Sequence, residues 1–199
     1  MFYVFCRFIL SLIFKIGLRL EVQGEENIPA DGPVVVAPNH ISLLDPPVTG
    51  VAASRQIYFM AKEELFQYPV FNQTIRALGA FPVRRGKVDL QAIKYSLKLL
   101  KSGKVVSVFP EGHISKTGER QKPRSGAFMI AASTGAAIVP ALIQGTDLKR
   151  HSGWPKARIT FGKPLTYEKD LPATKENLAL IEAKWSRAME ELSNASTRS

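Results

Sequence analysis

The chain has 199 residues, 45% of them hydrophobic, which suits one domain with a sizeable core and excludes a disordered chain. Its 27 Lys and Arg against 17 Asp and Glu give a formal charge of +10, so anionic partners are favoured: lipid head groups, phosphates, coenzyme A, an acidic carrier protein or nucleic acid. The single cysteine, Cys6, excludes an intramolecular disulfide and a Cys-rich zinc site, and the three histidines show no metal-ligand spacing.

Residues 1–20, MFYVFCRFILSLIFKIGLRL, stand apart in composition. Arg7, Ser11, Lys15 and Arg19 recur at every fourth position, which draws one drifting polar stripe along a helix. Phe2, Phe5, Phe8 and Phe14, with Ile and Leu, cover much of the remaining surface. Such a helix fits best in a membrane interface, aromatic side down, with Arg7, Lys15 and Arg19 near lipid phosphates. A true span requires the cations to snorkel or find partners, and a signal peptide lacks its charged start and cleavage site. A helix packed on the protein's own core is the remaining alternative. The expected organisation is therefore a membrane-interface helix at 1–20 and one domain at 21–199.

Along that domain, residues 33–38 (PVVVAP) read as a buried strand. Asp45 and Pro46 predict an N-cap and first turn, with a helix over 46–53. A strand at 57–61 follows, then a helical stretch at 63–77 broken at Pro69, and a short strand at 80–83. Residues 88–101 predict a helix with Leu90, Ile93, Leu97 and Leu100 on its inner face. Strands at 104–109, 136–143 and 157–161 alternate with helices at 126–134 and 174–192, the last with a stripe of Leu178, Ile181, Trp185, Ala188 and Leu192. This alternation predicts an α/β layered domain with a mainly parallel central sheet flanked by helices, whose site lies at the strand carboxyl ends.

Three segments follow predicted strands and carry chemistry. In Asn39-His40-Ile41-Ser42-Leu43-Leu44-Asp45, a turning loop lets Asp45 face His40 from the start of a helix. The carboxylate fixes the imidazole tautomer, and the other ring nitrogen then serves as a general base. The plainer alternative is a loop histidine beside an N-cap. In Gly79-Ala80-Phe81-Pro82-Val83-Arg84-Arg85-Gly86-Lys87, three cations converge on a helix N-terminus, which suits a phosphate or simply makes a solvated basic turn. In Phe109-Pro110-Glu111-Gly112-His113-Ile114-Ser115, Glu111 is placed to bind substrate hydroxyls or orient a cation, or else stands exposed on a tight turn.

Together these segments resemble the glycerolipid acyltransferases, in particular the 1-acyl-sn-glycerol-3-phosphate acyltransferases. His40 to Asp45 is similar to the family's His-x-x-x-x-Asp signature, Gly79 to Arg85 to its Gly-x-Phe-Pro-Val-x-Arg block, and Phe109 to Gly112 with Ser115 to Phe-Pro-Glu-Gly-Thr-Arg-Ser. Ile138-Val139-Pro140 resembles the fourth block, and Lys62 in Met60-Ala61-Lys62-Glu63 a recurrent position. The resemblance implies His40 as base, Asp45 as its holder, and Arg85 as the ligand of the acceptor phosphate. It implies Glu111, Gly112 and Lys62 at the acceptor site, with Arg84, Lys87 and Arg124 as further cations. The third block departs from the family at His113-Ile114, where Thr-Arg is usual, and Ile114 cannot bind phosphate.

The implied reaction is direct acyl transfer from acyl-CoA or an acyl-carrier protein to the 2-hydroxyl of a membrane-held lysophosphatidate, giving phosphatidate. It needs neither metal nor cofactor, and it takes place at the cytoplasmic face of the cell membrane on a peripheral or monotopic protein. An acyl-enzyme is not expected, since Cys6 lies in the anchor and Ser42 lacks a serine-hydrolase elbow. Glycerol-3-phosphate or another lysolipid is the alternative acceptor. A non-enzymatic module binding anionic lipid or nucleic acid is the rival from another class, although the basic residues lack the interleaved aromatics that bind nucleic acid.

Overall fold

The computed structural model describes residues 2–84, 88–148, 153–165, 167 and 172–197. Its centre is a seven-stranded sheet of β1 (Glu21–Gln23), β2 (Val34–Pro38), β3 (Ile57–Lys62), β4 (Ala80–Val83), β5 (Val105–Ser107), β6 (Ala137–Gln144) and β7 (Arg158–Phe161), in the order β1-β7-β6-β2-β5-β3-β4. Every pairing is parallel except β6 with β7. The helices are α1 (Phe2–Gly17), α2 (Asp45–Ala52), α3 (Pro69–Ala77), α4 (Leu90–Lys101), α5 (Gly126–Ala132) and α6 (Lys175–Ser196). The expected layered α/β architecture is what the chain adopts.

The unbroken apolar run of β2 is explained by its position. It lies between β5 and β6, so all five of its residues are buried. Val34 and Val36 point into the core that contains Val48 and Val51 of α2 and Phe14 of α1. Val35 and Ala37 point into the opposite core, with Leu100, Phe128 and Trp185 from α4, α5 and α6. Trp185 also donates its indole N–H to the Ala37 carbonyl at 2.9 Å, which ties α6 to the central strand.

Several expectations are corrected. Leu90 lies outward at the start of α4; Ile93, Leu97 and Leu100 pack on the core as expected, joined there by the buried Ala92 and Ser96. The tail helix continues to Ser196, with Met189 fully buried where the sequence stripe named Ala188. Strand β1 was not expected, because its three residues carry no apolar alternation; pairing with β7 makes it a strand. Glu21 reinforces that edge with ion pairs to Lys156 at 2.7 Å and Arg158 at 2.9 Å, which hold its carboxyl below the usual range.

The largest change concerns α1. Phe14 and Leu18 are buried against the core under α2, so Phe14 is not a membrane-facing side chain. Arg7 is turned inward as well, donating to the Ala53 carbonyl at 2.6 Å and to the Val51 carbonyl at 3.4 Å. These carbonyls end α2, where a guanidinium meets the negative end of the helix dipole. Arg19 turns the chain with φ of 47° after the helix. The outward side is apolar: Phe2, Val4, Phe5, Phe8, Leu12 and Ile16 are exposed. No described helix is long and apolar enough to cross a membrane.

Arg7→Met keeps the stem of the side chain and removes its donors. It is expected to lower urea stability by about 1–2 kcal/mol and to speed amide hydrogen exchange in 2–17. Unchanged exchange in that helix would show that Arg7 does not hold it.

Candidate active site

The strand order β6-β2-β5 places three carboxyl ends side by side, and the loops that leave them build the site. The loop after β2 is pinned first by Asn39. Its side-chain amide donates to the Ile143 carbonyl at 2.9 Å and accepts from the Ile143 N–H at 2.7 Å, as another strand residue would. The His40 carbonyl accepts from the Ser115 N–H at 2.7 Å, which joins this loop to the one following β5.

His40 Nδ1 lies 2.9 Å from Asp45 Oδ2. The same oxygen accepts the Ile41 N–H at 2.7 Å and the Ser42 N–H at 2.8 Å, while Oδ1 accepts the Thr146 hydroxyl at 2.6 Å. A carboxylate that accepts from two amides and a hydroxyl leaves His40 Nδ1 as the donor in the remaining contact, so Nε2 carries the free lone pair. Asp45 is also the first residue of α2, where the helix dipole favours negative charge. It was expected as the N-cap, but Leu44 occupies that place and the Asp45 side chain bends back into the preceding loop instead. His40 and Asp45 are 3% and 0% exposed. Phe109 stacks on the imidazole with ring centroids 4.2 Å apart, covering one face.

Thr146 was missed by the sequence reading. It follows Gly145, whose φ of 74° and approach to the Lys156 carbonyl leave no room for a Cβ. The signal was its position just beyond β6, at the same sheet edge as His40.

Glu111 is neither an exposed turn residue nor open to a substrate hydroxyl. It is 1% exposed, and both carboxyl oxygens lack a hydrogen-bond partner. Burial pushes its pKa up to about 7, opposed by the neighbouring Gln121 and His40 backbone N–H groups and by Arg120. Gly112, with φ of 77°, carries the Arg124 side chain across it, 3.2 Å from where a Cβ would stand. His113 lies on the exposed part of this loop.

The basic edge differs from expectation. Asp89 caps α4, accepting from the Gln91 and Ala92 N–H groups at 3.0 and 3.2 Å, so that helix end is occupied by the chain's own carboxylate. Arg84 faces Asp89 at 3.7 Å and Glu63 at 3.8 Å, and Lys62 pairs with Glu64 at 3.0 Å. Arg85 and Lys87 lie outside the described residues.

The acyltransferase family model matches residues 19–144, which include the loops after β2 and β5 and end with β6, just before Thr146. The chain belongs to the acyltransferase family. A 1-acyl-sn-glycerol-3-phosphate acyltransferase of Bacillus subtilis is 35% identical over 197 residues, covering 96% of this chain and 97% of the relative. One of Streptococcus pneumoniae with the same name is 31% identical over 171 residues, or 83% of this chain and 63% of the relative. The crystal structure of the 1-acyl-sn-glycerophosphate acyltransferase PlsC from Thermotoga maritima superposes with a TM-score of 0.72 at 30% identity, covering 96% of this chain and 87% of that one. Family membership decides for an enzyme over the non-enzymatic binding module.

Glu111 gives this acyltransferase a pH signature. Its folded pKa, about 7, is above its ordinary value of 4.5, so between those values the native state holds a proton that the unfolded state has released. Stability from this group is fully present below the lower value and is lost as pH rises towards the upper one. Glu111→Gln keeps the neutral shape at every pH. Urea melts at pH 5 and pH 8 are expected to show the variant gaining on the parent by up to ~3 kcal/mol at the higher pH. A parallel pH dependence for both would mean the native carboxyl is ionised throughout.

Proposed function

We propose that this acyltransferase moves a fatty acyl group from an acyl thioester to the free 2-hydroxyl of 1-acyl-sn-glycerol-3-phosphate, giving phosphatidate. The observation that carries the reading is the His40–Asp45 pair, buried at the meeting of three strand-end loops. His40 Nε2 takes the proton of the acceptor hydroxyl as its oxygen attacks the thioester carbonyl. The tetrahedral oxyanion collapses with release of the thiolate, which recovers that proton from the imidazolium. Asp45 holds the ring and stabilises its charged form during this cycle. At 3% exposure His40 is shielded from bulk water, which protects the thioester, and the surrounding loops must give way for the acceptor hydroxyl to reach Nε2.

The names of the relatives support lysophosphatidate as acceptor, because they act on 1-acyl-sn-glycerol-3-phosphate. Arg85, by its place in the second motif, is the proposed ligand of the acceptor phosphate, with Arg84, Lys87, Lys62 and Arg124 contributing positive potential and Gly112 a surface without a side chain. Glu111 supports that wall from inside. The charge of +10 suits either an acyl-CoA or an acyl-carrier protein as donor, and acyl transfer by general base requires no metal or cofactor.

Residues 1–20 are proposed to rest on the cytoplasmic face of the membrane, and 21–199 to form the catalytic domain. Phe2, Phe5 and Phe8 would lie among the acyl chains, with Lys15 and Arg19 nearer the head groups. The acceptor would then be met in the bilayer rather than drawn into water.

His40→Ala is expected to lower turnover at least ~10²-fold in a thiol-release assay with lysophosphatidate; a folded variant with near-parental turnover would remove His40 from the mechanism. Arg85→Ala is expected mainly to raise the acceptor KM, measured against lysophosphatidate, glycerol-3-phosphate and a phosphate-free lysolipid. An unchanged KM for lysophosphatidate would move the phosphate site elsewhere.

A further inference from the structure

Helix α3 and the 3-10 turn before it, Glu63–Gln67, contain no buried residue. A nine-residue helix is too short to hold itself in water, and this one turns large apolar groups outward. Val70 is 80% exposed, Tyr68 66%, Phe71 47% and Leu65 39%. An apolar patch of this kind, contiguous in the chain, marks a surface that meets a partner.

Its place in the fold identifies the partner. The connection β2-α2-β3 and the connection β3-α3-β4 step across the sheet in the same direction. Right-handed crossovers therefore put α3 on the same sheet face as α2. Helix α1 packs on that face too, through Phe14 and Leu18, with its own apolar side outward. Helices α4, α5 and α6 fill the opposite face. The turn at Glu63–Gln67 follows the carboxyl end of β3, so the patch begins at the edge of the sheet where His40 lies. Leu43, at the tip of the His40–Asp45 loop and 79% exposed, stands at that edge as well. Aromatic and aliphatic groups are fringed by the Lys62–Glu64 ion pair and by Arg76, whose guanidinium lies 4.9 Å over the Phe66 ring.

We propose that α3 and its preceding turn form a second lipid contact, so that the protein stands on the bilayer through α1 and α3 together. The inference rests on the reading of α1 as a membrane helix. Two contacts fix the tilt of the active-site edge, which a single helix lying on the surface leaves free to rotate. The substrate class at this surface is the bilayer acyl chain itself, met by Leu65, Tyr68, Val70 and Phe71.

The test uses the full chain with Cys6→Ser and one new cysteine carrying an environment-sensitive fluorophore, at Val70→Cys or, as a control on the opposite face, Leu180→Cys. Leu180 is 61% exposed on α6. With phosphatidylethanolamine–phosphatidylglycerol vesicles, the probe at 70 is expected to shift to the blue and be quenched by doxyl lipids, while the probe at 180 stays water-like. In parallel, Val70→Glu with Phe71→Glu, both exposed and so compatible with folding, is expected to weaken vesicle partitioning ~10-fold or more. A protein that sediments with vesicles while the probe at 70 stays water-like overturns the second contact and leaves the α1 reading intact. A protein that does not sediment defeats the α1 reading, and this inference with it. A blue shift without vesicles that grows with protein concentration assigns the patch to a second copy of the chain and also overturns the proposal.

Discussion

The architecture of the site depends on how the Asp45 carboxylate is held. A charge with no solvent exposure is tolerated only when its oxygens are fully satisfied, and here two backbone amides, the Thr146 hydroxyl and the His40 ring converge on it. Those groups come from the loop after β2 and the segment after β6. The carboxylate therefore fastens two strand ends together and, by the same bonds, fixes which nitrogen of His40 is basic. The stabilising interaction and the chemical one share the same oxygen atoms.

Glu111 makes the contrast instructive. It stands one loop away, is as deeply buried, and has no donor completing a bond to either oxygen. The two carboxyls thus meet opposite surroundings within one small region: Asp45 gathers donors, while burial dominates at Glu111 and raises its pKa. Lys62 and Arg84 face acidic neighbours, and Asp89 fills the end of α4. Among the described residues of this edge, the cations therefore face the chain's own carboxylates, and the start of α4 is closed by Asp89.

The same topology sets which helices leave apolar side chains exposed. Packing holds α1 on the same side of the sheet as α2, and right-handed connections put α3 there as well. Helix α1 uses one narrow stripe, including Arg7, to dock on α2 and leaves the rest of its circumference to another phase. Of its polar stripe only Arg7 turns onto α2, while Ser11, Lys15 and Arg19 stay exposed.

From sequence alone, the strand-helix alternation and the buried VVV run were enough to determine a layered parallel sheet, because local periodicity and continuous hydrophobicity follow directly from burial on one or both faces. The spacing of His40 and Asp45 after that run also anticipated their contact, since a short loop into a helix start limits how the two side chains can lie. Other features arose only from contacts across long separations. Thr146 joined Asp45 across 101 positions, Arg7 found Ala53 across 46, and β1 became a strand because β7 lay beside it. The direction of β7, the burial of Glu111 and the capping of α4 by Asp89 belong to the same class. Hydrophobic pattern specifies which face of an element turns inward, but which polar atom meets which is decided only when the packed core brings distant backbone into register.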